Sequence, residues 1–188
     1  MSGALTIPNA ISFVRLLLVP VFLWLLLGRD NTAGAGWLLA VIGSTDWVDG
    51  YLARKLNQVS EIGKFLDPLA DRLAVAAALI GGLISRDLPA WFAVALLVRE
   101  GLIAVGALIV GLRAGAKLDV RRLGKLATLL VYSAIAWFFI GKGHDFDPLV
   151  WAAYTVGIPG LALYYAVGVQ YFDDARKLIA AERGGVAG

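Results

Sequence analysis

The sequence predicts an all-α polytopic membrane protein with about six transmembrane helices around a cytoplasm-facing metal site. Three observations carry that expectation. Of the 188 residues, 60% are hydrophobic and 16% charged, with mean hydropathy +0.77, a balance rare in soluble domains. Apolar runs recur near 10–28, 34–53, 63–85, 89–112, 124–141 and 148–170, each close to the ~20 residues that cross a bilayer as a helix. Four acids, Asp46, Asp49, Asp67 and Asp71, interrupt the second and third runs, where ionisable groups are costly and so mark function.

Residues 1–8 are short and carry no basic stretch, and Arg15 lies inside the apolar run that follows. Both features argue against a cleaved signal peptide, despite the small residues Ala33-Gly34-Ala35-Gly36 beyond it. Pro8-Asn9 suits a helix start. Asn9, Ser12 and Arg15 follow at i, i+3 and i+6, roughly one helix face. Read locally, they are a cap and an arginine whose head snorkels towards the interface. Span two ends at Asp46 and Asp49, and Asn57-Gln58-Val59-Ser60 reads as a turn with Ser60 as N-cap of span three. Pro68 falls in the first turns of that span, where it is tolerated with a local kink.

Span four contains Arg99-Glu100, which reads either as an intramembrane bridge or as a phosphate contact through Arg99. The following loop sets five basic residues (Arg113, Lys117, Arg121, Arg122, Lys125) against one acid, Asp119. Topology determination, anionic headgroup binding and an acceptor site all fit that patch. The aromatics of spans five and six, among them Tyr132, Trp137, Trp151 and Tyr164, are ordinary belt and packing composition. The tail frays through Gly184-Gly185. No low-complexity tract, soluble appendage or internal repeat breaks the chain, so residues 1–188 read as a single integral-membrane domain.

Basic residues are distributed unevenly. Arg54, Lys55, Lys64, the five of the 113–125 loop, Arg176, Lys177 and Arg183 make eleven on one side; Arg29, Arg86 and Lys142 make three on the other. By the positive-inside rule the acidic motif and both termini face the cytoplasm from an inner membrane. There is no Cys, and the one His, His144, lies in a polar loop. Thiolate chemistry is thereby excluded and histidine catalysis disfavoured, leaving acid–base work to carboxylates. Nothing points to a nucleic-acid partner.

Asp46 and Asp49 are spaced i,i+3, and Asp67 and Asp71 i,i+4, so each pair shares a helix face. Antiparallel helices joined at 57–60 would bring the pairs to one level. Four carboxylates in a low dielectric cannot all stay ionised without cations. Oxygen-only ligands favour Mg2+ or Mn2+ over Zn2+, and two such ions suit displacement at phosphorus. Two Asp–Arg bridges inside a bundle would not require the glycines Gly50 and Gly63 that accompany the acids.

The full stretch, Asp46-x2-Asp49-Gly50-x2-Ala53-Arg54-x8-Gly63-x3-Asp67-x3-Asp71, resembles the signature of the CDP-alcohol phosphotransferase (phosphatidyltransferase) family at all eight fixed positions. At average residue usage, a chance match is on the order of one in ten million or rarer. The resemblance implies a CDP-diacylglycerol donor, release of CMP, a homodimer, and Asp71 as both metal ligand and base towards the attacking hydroxyl. Gly50, Ala53 and Gly63 would then let the nucleotide and diphosphate approach the backbone, although close helix packing alone also explains them. Arg54 would hold a phosphate or anchor the span. The opening P-N-x2-[TS]-x2-R is similar to bacterial members, implying nucleotide-side contacts for Asn9 and Ser12. Related enzymes also carry Arg-Glu at the place of Arg99.

For the acceptor, the phrases IPNAISFVR and TDWVDGYLARKLNQ resemble the bacterial branch that makes phosphatidylglycerolphosphate and cardiolipin. Enzymes of that branch that use glycerol 3-phosphate commonly carry basic groups where this chain has Arg72, Ala107 and Ala127. Two of the three are absent, which resembles the CDP-diacylglycerol-dependent cardiolipin synthases, whose acceptor is phosphatidylglycerol. Arg121, Arg122 and Lys125 could still hold glycerol 3-phosphate. Two readings of another class, a membrane prenyltransferase and an ion-coupled transporter, also place acids within a membrane. The first needs more spans and well-separated motifs, the second paired broken helices.

Overall fold

The computed structural model describes residues 7–56, 61–114 and 122–185, with side chains over 10–45, 69–106 and 123–170. Among the described residues there are six α-helices and no strand. Helix α1 (Ile7–Leu23) passes into a π-helical turn (Trp24–Gly28), followed by α2 (Thr32–Leu56), α3 (Glu61–Ser85), α4 (Ala90–Ala114), α5 (Arg122–Gly143) and α6 (Asp147–Gly185). The Asn57–Ser60 turn with its Ser60 cap lies outside the described residues, as does most of the 113–125 loop.

Three connections, 29–31, 86–89 and 144–146, are short enough to force antiparallel neighbours. Each reverses the chain through one residue of positive φ: Asp30 (49°), Arg86 (64°) and Asp145 (51°). Asn31 closes the first link twice. Its backbone N–H donates to Leu25 across the widened π turn (2.9 Å), and its side-chain oxygen accepts from the Gly34 N–H (2.9 Å), capping α2. The Thr32 hydroxyl donates to Asp87 at 3.1 Å, tying the first link to the second. His144 is exposed in the third link, as its polar surroundings suggested.

The core is built by α5, which packs along both α6 and α2, while α1 lies against α2 and α3, and α4 against α6 and α3. Consecutive Phe138 and Phe139 face opposite neighbours. Phe138 meets Tyr154 (centroids 4.8 Å) and Phe92 (5.7 Å), and Phe139 meets Phe22 edge-on (5.7 Å). Such pairs contribute about 0.5–1.5 kcal/mol each beyond burial. Glycine sets the closest approaches. A Cβ at Gly36 would lie 2.7 Å from the Ile140 backbone nitrogen, and one at Gly160 would lie 2.8 Å from the Leu130 Cβ. Small residues at helix crossings are how helices associate where no hydrophobic effect drives them together.

The outer surface is apolar. Leu102, Leu129, Trp151, Ile84 and Val169 are each at least 60% exposed, an arrangement suited to lipid rather than water. Three helices are long and apolar enough over their described residues to cross a membrane: Ala10–Gly28, Leu123–Gly143 and Asp147–Gln170. The described apolar part of α2, Thr32–Thr45, is shorter, and the charged pairs Asp71-Arg72 and Arg99-Glu100 interrupt α3 and α4. The chain is thus an all-helical protein with membrane-spanning character. Helix α6 differs from expectation, continuing beyond its apolar run as far as Gly185. Tyr171–Arg183 contains neither Gly nor Pro, and its three Ala, two Arg and single Leu, Lys and Glu are good helix formers, so nothing stops propagation of the helix.

Candidate active site

Helices α2 and α3 carry the four acids as continuous α-helix, with α3 passing unbroken through Pro68. Asp46 and Asp49 therefore share one face of α2, and Asp67 and Asp71 one face of α3. Asp46 lies ten residues before the end of α2, and Asp71 ten residues after the start of α3. That is about 15 Å along each helix from the ends joined by residues 57–60. The side chains of Asn9, Asp46, Asp49, Gly50, Ala53, Arg54, Gly63, Asp67, Arg113 and Arg122 lie outside the described residues, as does Arg121 altogether. Side-chain geometry is described for Ser12, Asp71, Arg99 and Lys125.

Asp71 is held from two sides. Its Oδ1 accepts a charge-assisted hydrogen bond from Nη1 of Arg15 on α1. Its backbone carbonyl accepts from the Tyr132 hydroxyl on α5 at 3.3 Å. Its side chain keeps 35% of its surface accessible, whereas Arg15 keeps 1%. Ser12, one turn earlier on the same face of α1, is fully buried.

Arg15 therefore does not snorkel. A guanidinium so deep in an apolar segment needs a counter-charge, and α1 packs against α3 in the register that supplies one. Neither Arg15 nor Tyr132 stood out in the sequence as a partner of the acidic motif. The i, i+3, i+6 face of Asn9, Ser12 and Arg15 was the available signal for the first. The second had none, because Tyr132 reaches Asp71 from a helix 61 residues away.

Arg99 forms the bridge that was one of its two readings. It is buried, and its Nη1 lies 2.9 Å from Oε1 of Glu100. Its guanidinium stacks 3.4 Å from the centroid of the Tyr164 ring, and the Tyr164 hydroxyl donates to the same Glu100 oxygen at 2.6 Å. The cluster joins α4 to α6. Arg99 Nε has no hydrogen-bond partner among the described residues. Lys125 is exposed near the start of α5, and two residues on Ala127 is completely buried.

Among the described residues no three potential ligands gather into a metal-binding group, and Asp71 is the one member of the acidic quartet with a described side chain. The chemistry of the donor set nonetheless fits a hard divalent cation. Every candidate ligand on α2 and α3 is a carboxylate, the chain has no Cys, and its one His sits in a link at the opposite end of the bundle from the 57–60 connection.

Residues 5–169 match the model of the CDP-alcohol phosphatidyltransferase family. The chain is 37% identical over 186 residues to "Cardiolipin synthase (CMP-forming)" of Streptomyces coelicolor, covering 95% of this chain and 86% of that one. It is 42% identical over 188 residues to "CDP-diacylglycerol--glycerol-3-phosphate 3-phosphatidyltransferase" of Bacillus subtilis, covering 89% and 93%. The Escherichia coli K12 protein of the same description is 30% identical over 184 residues, covering 94% of each chain. These matches run through the acidic motif and nearly all six helices, and they leave no place for a prenyltransferase or a transporter. The protein belongs to the CDP-alcohol phosphatidyltransferase family, membrane enzymes that are generally dependent on divalent metal.

Proposed function

We propose that the chain, acting as one domain over residues 1–188, transfers the phosphatidyl group of CDP-diacylglycerol to the hydroxyl of phosphatidylglycerol, giving cardiolipin and CMP. The observation that carries this choice is Ala127. It lies on the inward face of α5 and is fully buried, whereas the glycerol 3-phosphate enzymes that the sequence resembles commonly carry a basic residue at that place. An acceptor with a dianionic phosphate would find one cation fewer at that point, while phosphatidylglycerol bears a single diester charge. The S. coelicolor relative bears the matching name. Glycerol 3-phosphate is the second reading, favoured by the B. subtilis relative and by the exposed Lys125, which follows Arg121 and Arg122 closely in sequence.

Asp71 takes the proton of the acceptor hydroxyl. The freed oxygen forms a bond to the lipid-side phosphorus, and the bridging P–O bond to CMP breaks. Asp46, Asp49, Asp67 and Asp71 would hold two divalent ions, Mg2+ or Mn2+, and the chemistry such ions would supply there is neutralisation of charge on the diphosphate and the leaving CMP. Asn9, Ser12, Asp49, Gly50, Ala53, Arg54, Gly63 and Asp67 receive the nucleotide and diphosphate; Gly50 and Gly63 do so because no Cβ blocks the backbone. Arg113, Arg121, Arg122 and Lys125 draw the acceptor phosphate, while Arg99, closed on Glu100 and Tyr164, is left to hold α4 against α6. The site and both termini face the cytoplasm, and the protein works as a homodimer.

The test is an assay of purified enzyme with labelled CDP-diacylglycerol, with phosphatidylglycerol, glycerol 3-phosphate or inositol phosphate offered in separate tubes. Labelled cardiolipin in the first tube alone supports the proposal. Product in the second tube alone moves the assignment to phosphatidylglycerolphosphate synthesis.

A further inference from the structure

We infer that Tyr132 is a positioning residue for the metal site: from α5 it bridges α2 and α3 at the level of Asp46 and Asp71, and so sets how far apart the two acid-bearing helices stand. The inference rests on the reading of the acidic quartet as metal ligands. Among the described residues, α2 and α3 barely touch one another; α1 packs against both, and α5 runs along α2 and reaches α3. Their spacing is therefore decided by what lies between them. On the α5 side Tyr132 makes the bridge. Its hydroxyl donates to the Asp71 backbone carbonyl at 3.3 Å, which can accept it beside its own helix bond because a carbonyl has two lone pairs. Its ring lies over Gly43 of α2, where an added Cβ would meet the ring carbon Cδ1 at 3.8 Å.

Gly43 stands one turn before Asp46, on the same face of α2 by helix register. Tyr132 thus touches α3 at the last acid of the motif and α2 one turn from the first. Carboxylates on separate helices can share a divalent ion only while the helices keep their separation, since Mg2+ holds its oxygen ligands at about 2.0–2.1 Å. Groups that orient metal ligands from outside the coordination shell govern affinity by about 10–100-fold. Tyr165 supplies the comparison. Its hydroxyl donates to the Ala95 backbone carbonyl at 2.7 Å, joining α6 to α4, two helices that carry none of the four acids. If such bonds only hold helices together, the two tyrosines are equivalent.

The test uses the full-length enzyme in detergent micelles and the variants Tyr132→Phe and Tyr165→Phe, each of which keeps the ring and loses the hydroxyl. Mn2+ affinity is read by electron paramagnetic resonance in the presence of CMP, together with thermal unfolding and the Mg2+ concentration that gives half-maximal CMP release. Tyr132→Phe is expected to bind Mn2+ about tenfold or more weaker, with the Mg2+ requirement raised by a similar factor. Tyr165→Phe is expected to bind Mn2+ as the parent does, while both variants lose unfolding temperature to a similar extent. Parent-like Mn2+ affinity in Tyr132→Phe, or equal weakening in Tyr165→Phe, overturns the inference. Should Tyr132→Phe fail to fold, Gly43→Leu decides: its side chain enters the space that the ring fills and leaves the hydroxyl in place, and parent-like Mn2+ affinity there overturns the inference as well. A parent enzyme that binds no Mn2+ defeats the reading of the quartet as ligands, and the inference with it. A parent that binds Mn2+ no better than Tyr132→Phe defeats only the role given to Tyr132.

Discussion

The Tyr164 hydroxyl and the Glu100 carboxylate meet at 2.6 Å between α6 and α4, with Arg99 lying flat on the Tyr164 ring. Three polar side chains thereby partner one another inside the bundle, where each alone would be costly, with Arg99 Nε left without a hydrogen bond among the described residues. Tyr164→Phe keeps the ring under Arg99 but removes the donor to Glu100. It should lower stability by about 1–2 kcal/mol, read as a drop in the thermal unfolding temperature in detergent. Arg99→Ala leaves Glu100 without its counter-ion and should cost about 3–5 kcal/mol.

Replacing Asp71 by Asn would remove the proton acceptor of the proposed mechanism while keeping the shape of the side chain. CMP release should fall by about 10²–10⁴-fold, the range that general-base catalysis supplies. The unfolding transition should persist, since the amide still accepts a hydrogen bond from Arg15. Activity assays and thermal unfolding on one preparation separate the two effects.

Chelation by EDTA should abolish transfer, and adding back Mg2+ or Mn2+ should restore it, because a hard divalent ion suits the all-carboxylate donor set. Zn2+ should restore little, lacking the nitrogen and sulfur ligands it favours. Release of labelled CMP across a metal titration measures this directly.

Gly36→Ala tests the crossing of α2 and α5. The added methyl meets the Ile140 backbone nitrogen at 2.7 Å and the Phe139 Cβ at 2.8 Å. Two of these atoms are backbone or directly attached to it, so neither can swing aside. The helices must separate, at about 1–3 kcal/mol. Thermal unfolding reads the loss, whereas the same change at Gly101, with nothing within 4 Å of its built Cβ, should leave stability unaffected.

The helices were legible in the sequence because their signal is local. An apolar run of bilayer length, ended by Gly, Asp or Asn at a tight link, reports itself whatever it packs against. The expected spans 63–85 and 124–141 sit within two residues of α3 and α5 at every boundary. The tail was less legible, since the end of a hydrophobic run is not the end of a helix, and α6 continues well past Gln170. The acidic motif was equally plain, as carboxylates at i,i+3 and i,i+4 on continuous helix share a face. Arg15 was misread as an interfacial anchor because burial is a property of neighbours, and its neighbour lies 56 residues away.

The sequence by itself determined the helices, the membrane-spanning character, the acidic signature and the family, all of which follow from spacing and composition within short windows. Only the tertiary structure decided which helices touch: that α1 lies against α3 so Arg15 meets Asp71, that Tyr132 reaches the same residue from α5, and that Arg99 closes on Glu100 and Tyr164 instead of standing open. Those pairings depend on helix register and crossing. Register is set by the summed fit of many small contacts, such as Gly36 on Ile140 and Phe138 on Tyr154, and no short stretch of sequence contains both partners.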